Sequence, residues 1–158
     1  LFNELLQDER YDNYLILEDD IEFLDRNIRM SINMSFKLLE EIDSWDILYL
    51  GHSIKRAVMP AYNNLYGSQK ELIIIPHLSN ITIGGIFGYI INKSGAKKFI
   101  DFIKENGIKH GIDYLMFYYH KEMDLKHYET VPRLILSDYV DPTSKVDSDI
   151  QYNYDALF

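Results

Sequence analysis

Glu18, Asp19 and Asp20 stand in an unbroken row directly after the apolar run Tyr14-Leu15-Ile16-Leu17. Three adjacent carboxylates repel one another and are costly without a cation. Mg²⁺ and Mn²⁺ prefer hard oxygen ligands and accept substrate phosphates as further ligands. In a strand, residues two apart point to the same face, so Glu18 and Asp20 could grip one metal while Asp19 points elsewhere. A metal that bridges a diphosphate neutralises charge on a departing nucleotide. The competing reading of the same row is a solvated acidic turn.

Other candidates are fewer. His52 directly follows the apolar stretch Asp46–Leu50, which puts it at the same sheet edge as the carboxylates and makes it a candidate contact for a donor or metal. The remaining histidines, at 77, 110, 120 and 127, show no metal-ligand spacing on one helix face and read as surface or satisfied core residues. Gly84-Gly85 permits close backbone approach to a ligand, or serves a tight turn. It is no phosphate-binding loop, because no Lys-Ser/Thr follows and no helix begins there. Trp45 reads as packing.

The carboxylates need elements to hold them. Tyr14–Leu17 has the profile of a buried central strand. In open α/β sheets, ligands bind at the carboxyl ends of such strands. Ile28, Ile32, Phe36, Leu39 and Ile42 recur on one face of a helix spanning about 27–42. Asp46–Leu50 is a second buried strand, ended by Gly51, and 52–70 reads as a long loop. Further strands are expected at 72–75, 86–91, 128–131 and 134–136. A helix capped by Ser94 runs to about Glu105 and stops at Gly107. A short helix follows over 112–119, and a helix end precedes the first strand at 1–6. Residues 138–158, with their five aspartates, read as an irregular tail or lid. Strands and helices are mixed, so the class is α/β, and no repeat or linker divides residues 1–158.

Composition sets the limits. Length and apolar content (158 residues, 47% hydrophobic) suit one domain with its own core. A net charge of −9, with no Lys/Arg run longer than two, disfavours nucleic acid as a partner. The absence of cysteine excludes disulfides, thiolate zinc sites and cysteine nucleophiles. No stretch reaches the length of a membrane span, and the amino terminus lacks the order of a signal peptide.

Four segments resemble those of glycosyltransferase family 25, which includes lipopolysaccharide glycosyltransferases and procollagen galactosyltransferases. They are Leu15-Ile16-Leu17-Glu18-Asp19-Asp20-Ile21, Trp45–Gly51, Gly88–Phe99 with its Gly95-Ala96 pair, and Gly111-Ile112-Asp113-Tyr114-Leu115. Val131–Ile135 and Ser148–Gln151 are similar to the family's last strand and to the segment beyond it. The match spans roughly residues 14–151, and the order of the motifs is more specific than any one of them.

The resemblance implies a GT-A-like nucleotide-sugar transferase fold. It implies metal-dependent movement of a hexose, galactose or glucose, from a nucleotide sugar such as a UDP-sugar to a hydroxyl of a glycan or of hydroxylysine. Mn²⁺ or Mg²⁺ is the implied cofactor, with Glu18 and Asp20 as ligands and Asp149 or Asp155 as a late further ligand. Asp19 would contact the donor ribose or support the metal shell. Asp113 is the implied general base if transfer inverts the sugar; from spacing alone it is a helix-terminal carboxylate favoured by the dipole. The family's fold begins with βα units upstream of the acidic row, and here thirteen residues precede the first strand, so those units are expected to be absent from this chain. Two rival readings remain: an inactive module that binds metal or a partner, and a two-metal nuclease built on Asp20-Ile21-Glu22.

Overall fold

The computed structural model describes residues 1–55, 57–78, 82–108 and 111–137, with backbone alone at 82–84. In chain order the elements are α1 (Phe2–Gln7), β1 (Asn13–Leu17), β2 (Ile21–Phe23), α2 (Ile28–Leu39), β3 (Ile47–Ile54), α3 (Met59–Tyr66), β4 (Ile73–Pro76), β5 (Thr82–Asn92), α4 (Lys93–Asn106), α5 (Ile112–Tyr118), β6 (His127–Val131) and β7 (Ile135–Ser137). The class is α/β, as expected.

The main sheet has the order β1-β5-β3-β6-β4, and β2 pairs with β7 as a separate ribbon. β3 and β6 run parallel, while the other neighbours are antiparallel. Because β1 and β3 both oppose β5, their carboxyl ends share one edge of the sheet, where β5 begins.

β3 is the central strand, and its alternation serves two faces. Ile47 and Tyr49 join Tyr89, Ile91, Leu5, Phe99, Leu115 and Phe117 under α1, α4 and α5. Leu48 and Leu50 join Phe87, Ile90, Leu39 and Ile135 under α2 and β7. Each fully buried Leu or Ile of this kind contributes about 1.5–3 kcal/mol.

Several expectations need correction. β1 is not central: it pairs with β5 alone among the described residues, and Leu15 and Leu17 are 42% and 39% exposed. An apolar run reports affinity for a sheet but not its place in the order, and the longer β5 occupies the inner position. β3 does not stop at Gly51 but continues to Ile54. Gly51 serves a close crossing instead, because a Cβ there would lie 2.0 Å from the Ile135 carbonyl oxygen. The region read as a loop after His52 holds the end of β3 and the helix α3, with Pro60 in its first turn. α2 ends at Leu39, short of Ile42.

The cap of α4 is Asn92 rather than Ser94: its side chain accepts from the Gly95 N–H and donates to the Trp45 carbonyl. Gly107, at φ +74°, ends α4 as expected. The expected tail, with Asp149 and Asp155, lies outside the described residues.

Candidate active site

The acidic row sits where β1 turns into β2. The Glu18 N–H donates to the Phe87 carbonyl at 3.0 Å, which ties the row to β5. Asp20 is fixed from the other side. Its Oδ2 accepts from Ser137 Oγ at 3.1 Å, across the register in which Ile21 faces Ser137. The β2–β7 ribbon therefore positions Asp20, and Gly51 lets that ribbon lie close over β3.

Asp113 arrives from α5. Its Oδ2 accepts the Gly85 N–H at 2.8 Å. That N–H is available because the pairing of β3 with β5 slips between His52↔Ile86 and Ile54↔Thr82. At the slip Gly85 adopts φ +68°, a conformation that suits glycine. Gly84-Gly85 thus lies within a strand, not before one, and the close approach it permits is to a carboxylate of the same chain.

The electrostatics connect the two groups. Partial desolvation first, then the carboxylates of Asp113, Asp20 and Asp19, push the Glu18 carboxyl above its ordinary value. Burial, followed by Glu18 and Asp113, pushes the Tyr89 phenol up as well. Glu18 and Asp113, far apart in sequence, thus sense each other across one small acidic space.

The expected residues do not all meet there. Glu18, Asp19, Asp20 and Asp113 do. Asp149 and Asp155 fall outside the described residues. His52 lies at the expected sheet edge, but its ring is enclosed, 0% exposed, and faces Glu129, with Nε2 3.2 Å from Oε2. A donor contact by His52 is replaced by a place in the core.

Sequence reasoning missed the group that His52 joins. His52, His77 and Glu129 bring three ligand atoms within 4.8 Å of one another, and among the described residues they are the group gathered this tightly. His77 follows β4 and Glu129 lies on β6, so strand order assembles them. The one available signal was a polar residue at or beside an expected strand: His52 after Ile47–Leu50, His77 after Ile73–Pro76 and Glu129 within 128–131.

Could the acidic row hold a hard cation? The donor set is all carboxylate oxygen, and Asp113, Asp20 and Asp19 add to the burial that raises the Glu18 carboxyl, a cost that a cation relieves. The residues fit Mn²⁺ or Mg²⁺ with phosphate or water oxygens completing the shell.

The profile of a family described as "Glycosyltransferase family 25 (LPS biosynthesis protein)" matches residues 1–116. A protein of Acanthamoeba polyphaga mimivirus, named as a "Putative glycosyltransferase", is 30% identical over 158 residues. That alignment covers 99% of this chain and 47% of the viral protein, so the chain spans about half the length of this curated relative. Among the described residues no helix is long and apolar enough to cross a membrane.

Proposed function

The chain belongs to glycosyltransferase family 25, and on that premise we propose that it moves a hexose from a UDP-sugar to a hydroxyl of a glycan or hydroxylysine acceptor. The observation that carries this reading is the convergence of Glu18, Asp20 and Asp113 on one sheet edge, where the Glu18 N–H bonds Phe87 and the Asp113 carboxylate bonds Gly85 of the same strand β5.

In this reading Glu18 and Asp20 hold Mn²⁺ or Mg²⁺, with a late aspartate, Asp149 or Asp155, as a further ligand. The ion, when bound, supplies countercharge to the departing nucleotide diphosphate. Asp19 contacts the ribose. Ser137 fixes the Asp20 carboxylate through Oδ2 and so limits the rotamers available to a ligand. Asp113 takes the proton of the acceptor hydroxyl, and the Gly85 N–H holds its carboxylate in orientation. Gly85 contributes no charge to the reaction; its task is geometric.

Hydrolysis of UDP-glucose and UDP-galactose by the purified chain, with Mn²⁺ and with EDTA, tests the proposal without a known acceptor. The expected result is slow, metal-dependent release of UDP with one donor preferred. If no UDP is released and calorimetry detects no binding at millimolar UDP with Mn²⁺, the chain is a module that does not transfer sugar.

A further inference from the structure

Glu129 is buried within the sheet, on β6 between β3 and β4. Its Oε1 accepts from the Tyr62 hydroxyl at 3.0 Å. Its Oε2 is approached by His52 Nε2 at 3.2 Å and, very closely, by His77 Nδ1. All three side chains are 0% exposed. A carboxylate so placed is costly without countercharge. Arg133 is near enough to sense it, but the guanidinium directs Nη1 to the His52 carbonyl at 2.9 Å.

His52 poses a specific problem. Its Nδ1 lies 3.2 Å from the Ser53 carbonyl oxygen, an acceptor. Its Nε2 faces a carboxylate oxygen, also an acceptor. A neutral imidazole carries one N–H, so one lone pair would point at an oxygen. Three arrangements remove the conflict: a doubly protonated ring, a protonated Glu129 that donates to Nε2, or a cation between Nε2 and Oε2.

The surroundings favour the cation. The Nδ1–H on the Ser53 carbonyl and the Tyr62 hydroxyl on Oε1 are the outer partners that ligating His and carboxylate groups need. The Tyr49 hydroxyl is buried and has no hydrogen-bond partner among the described residues. Its ring packs on His77 and His52, with centroids 4.7 and 6.2 Å away.

We propose that His52 Nε2, His77 Nδ1 and Glu129 Oε2 are the ligands of one divalent transition-metal ion, best matched by Zn²⁺. Two imidazoles and one carboxylate suit Zn²⁺, whereas Mg²⁺ and Mn²⁺ favour oxygen shells. Metal–ligand bonds of about 2.0–2.2 Å place tetrahedral ligand atoms about 3.3 Å apart. The three atoms already lie within 4.8 Å of one another, so small side-chain movements complete the site. The ion is structural: it ties β3, β4 and β6 together behind α5. This proposal is independent of sugar transfer and of any ion at Glu18 and Asp20.

The test uses the tag-free chain, stripped with chelator, dialysed, and titrated separately with Zn²⁺ and Co²⁺. One equivalent of Zn²⁺ should be retained, and the thermal midpoint should rise by roughly 5–10 °C at a hundredfold excess over Kd. Co²⁺ should give the intense visible bands of a four-coordinate site. His77→Gln and Glu129→Gln should lose the retained ion, while Asp20→Asn keeps it. Where a variant does not fold, the Co²⁺ spectrum of the unaltered chain decides. The proposal is overturned by absence of stoichiometric Zn²⁺ binding, by a six-coordinate Co²⁺ spectrum, or by a folded His52→Gln/His77→Gln chain that retains the ion.

Discussion

The Gly85 N–H and the Asp113 carboxylate meet at 2.8 Å, and this single bond joins a slip in the central sheet to the first turn of α5. The slip matters because it turns a main-chain donor out of the ladder and towards a side chain. Gly85→Ala tests the arrangement. At φ +68° a Cβ is strained, and it would lie 2.6 Å from Ser53 Oγ. The expected cost is about 1–3 kcal/mol in denaturant unfolding, with UDP release falling further than the stability loss explains. Unchanged release in the folded variant would remove Gly85 from the positioning of Asp113.

Asp113→Asn separates orientation from proton transfer. Asparagine keeps an acceptor for the Gly85 N–H but cannot take the acceptor's proton. Transfer to a hydroxyl acceptor should fall by about 10²–10⁴-fold, with UDP and Mn²⁺ affinity nearly unchanged by calorimetry. Equal losses in binding and transfer would instead place Asp113 in the metal shell.

Asp20→Asn addresses the ion. The side chain is half-buried at the β1–β2 turn and accepts from a serine hydroxyl, so the fold should survive. Circular dichroism should be unaltered while Mn²⁺ affinity and most UDP release are lost. Full metal-dependent activity would remove Asp20 from the ligand set.

How much of this was legible beforehand depended on the range of the interactions. The acidic row, the Asp113 helix and the start of the strand at 47–50 follow from local pattern and lie within a residue or two of their expected places, while that strand runs on to Ile54. The order of strands is set by pairing across the whole chain, which no local window reports, and β1 was therefore misplaced at the centre. The same cause hid the His52, His77 and Glu129 group. Its members come from β3, the end of β4 and β6, and a histidine in an apolar strand has no periodic signature. α3 was missed because Met59–Tyr66 carries weak amphipathic alternation, with Tyr62 its buried residue.

A stability prediction tests the local network at Asp46. This residue is 2% exposed and accepts from Lys98 Nζ and the Lys126 N–H, each at 2.7 Å. Asp46→Ala strands the Lys126 N–H, while the partly exposed Lys98 recovers water. A loss of about 1–3 kcal/mol is expected in denaturant unfolding. A loss within error would show that the Lys126 N–H finds another acceptor.

The last prediction concerns pH and the sign of the Glu18 shift. Its folded-state carboxyl lies above the ordinary value, through partial desolvation and then Asp113, Asp20 and Asp19. The folded state therefore holds this proton more tightly than the unfolded chain does. Stability from Glu18 is present at low pH, where both states are protonated, and is lost as pH rises through the interval between the two values. In metal-free chain at neutral pH, the ionised Glu18 is thus a destabilising group. Glu18→Gln should unfold at a higher denaturant midpoint than the unaltered chain at pH 7. The gap should close as pH falls below the ordinary glutamate range, because both then carry a neutral side chain. Measuring the difference between the two proteins removes the opposite contributions of Asp8, Asp25, Asp101 and Asp124, whose carboxyls are lowered. Saturating Mn²⁺ should reverse the order at pH 7, since the ion rewards the ionised carboxylate. A Glu18→Gln chain that is less stable than the unaltered protein at pH 7 without metal would show that burial and the neighbouring carboxylates do not penalise the ionised Glu18, and the electrostatic case for a cation there would fail with it.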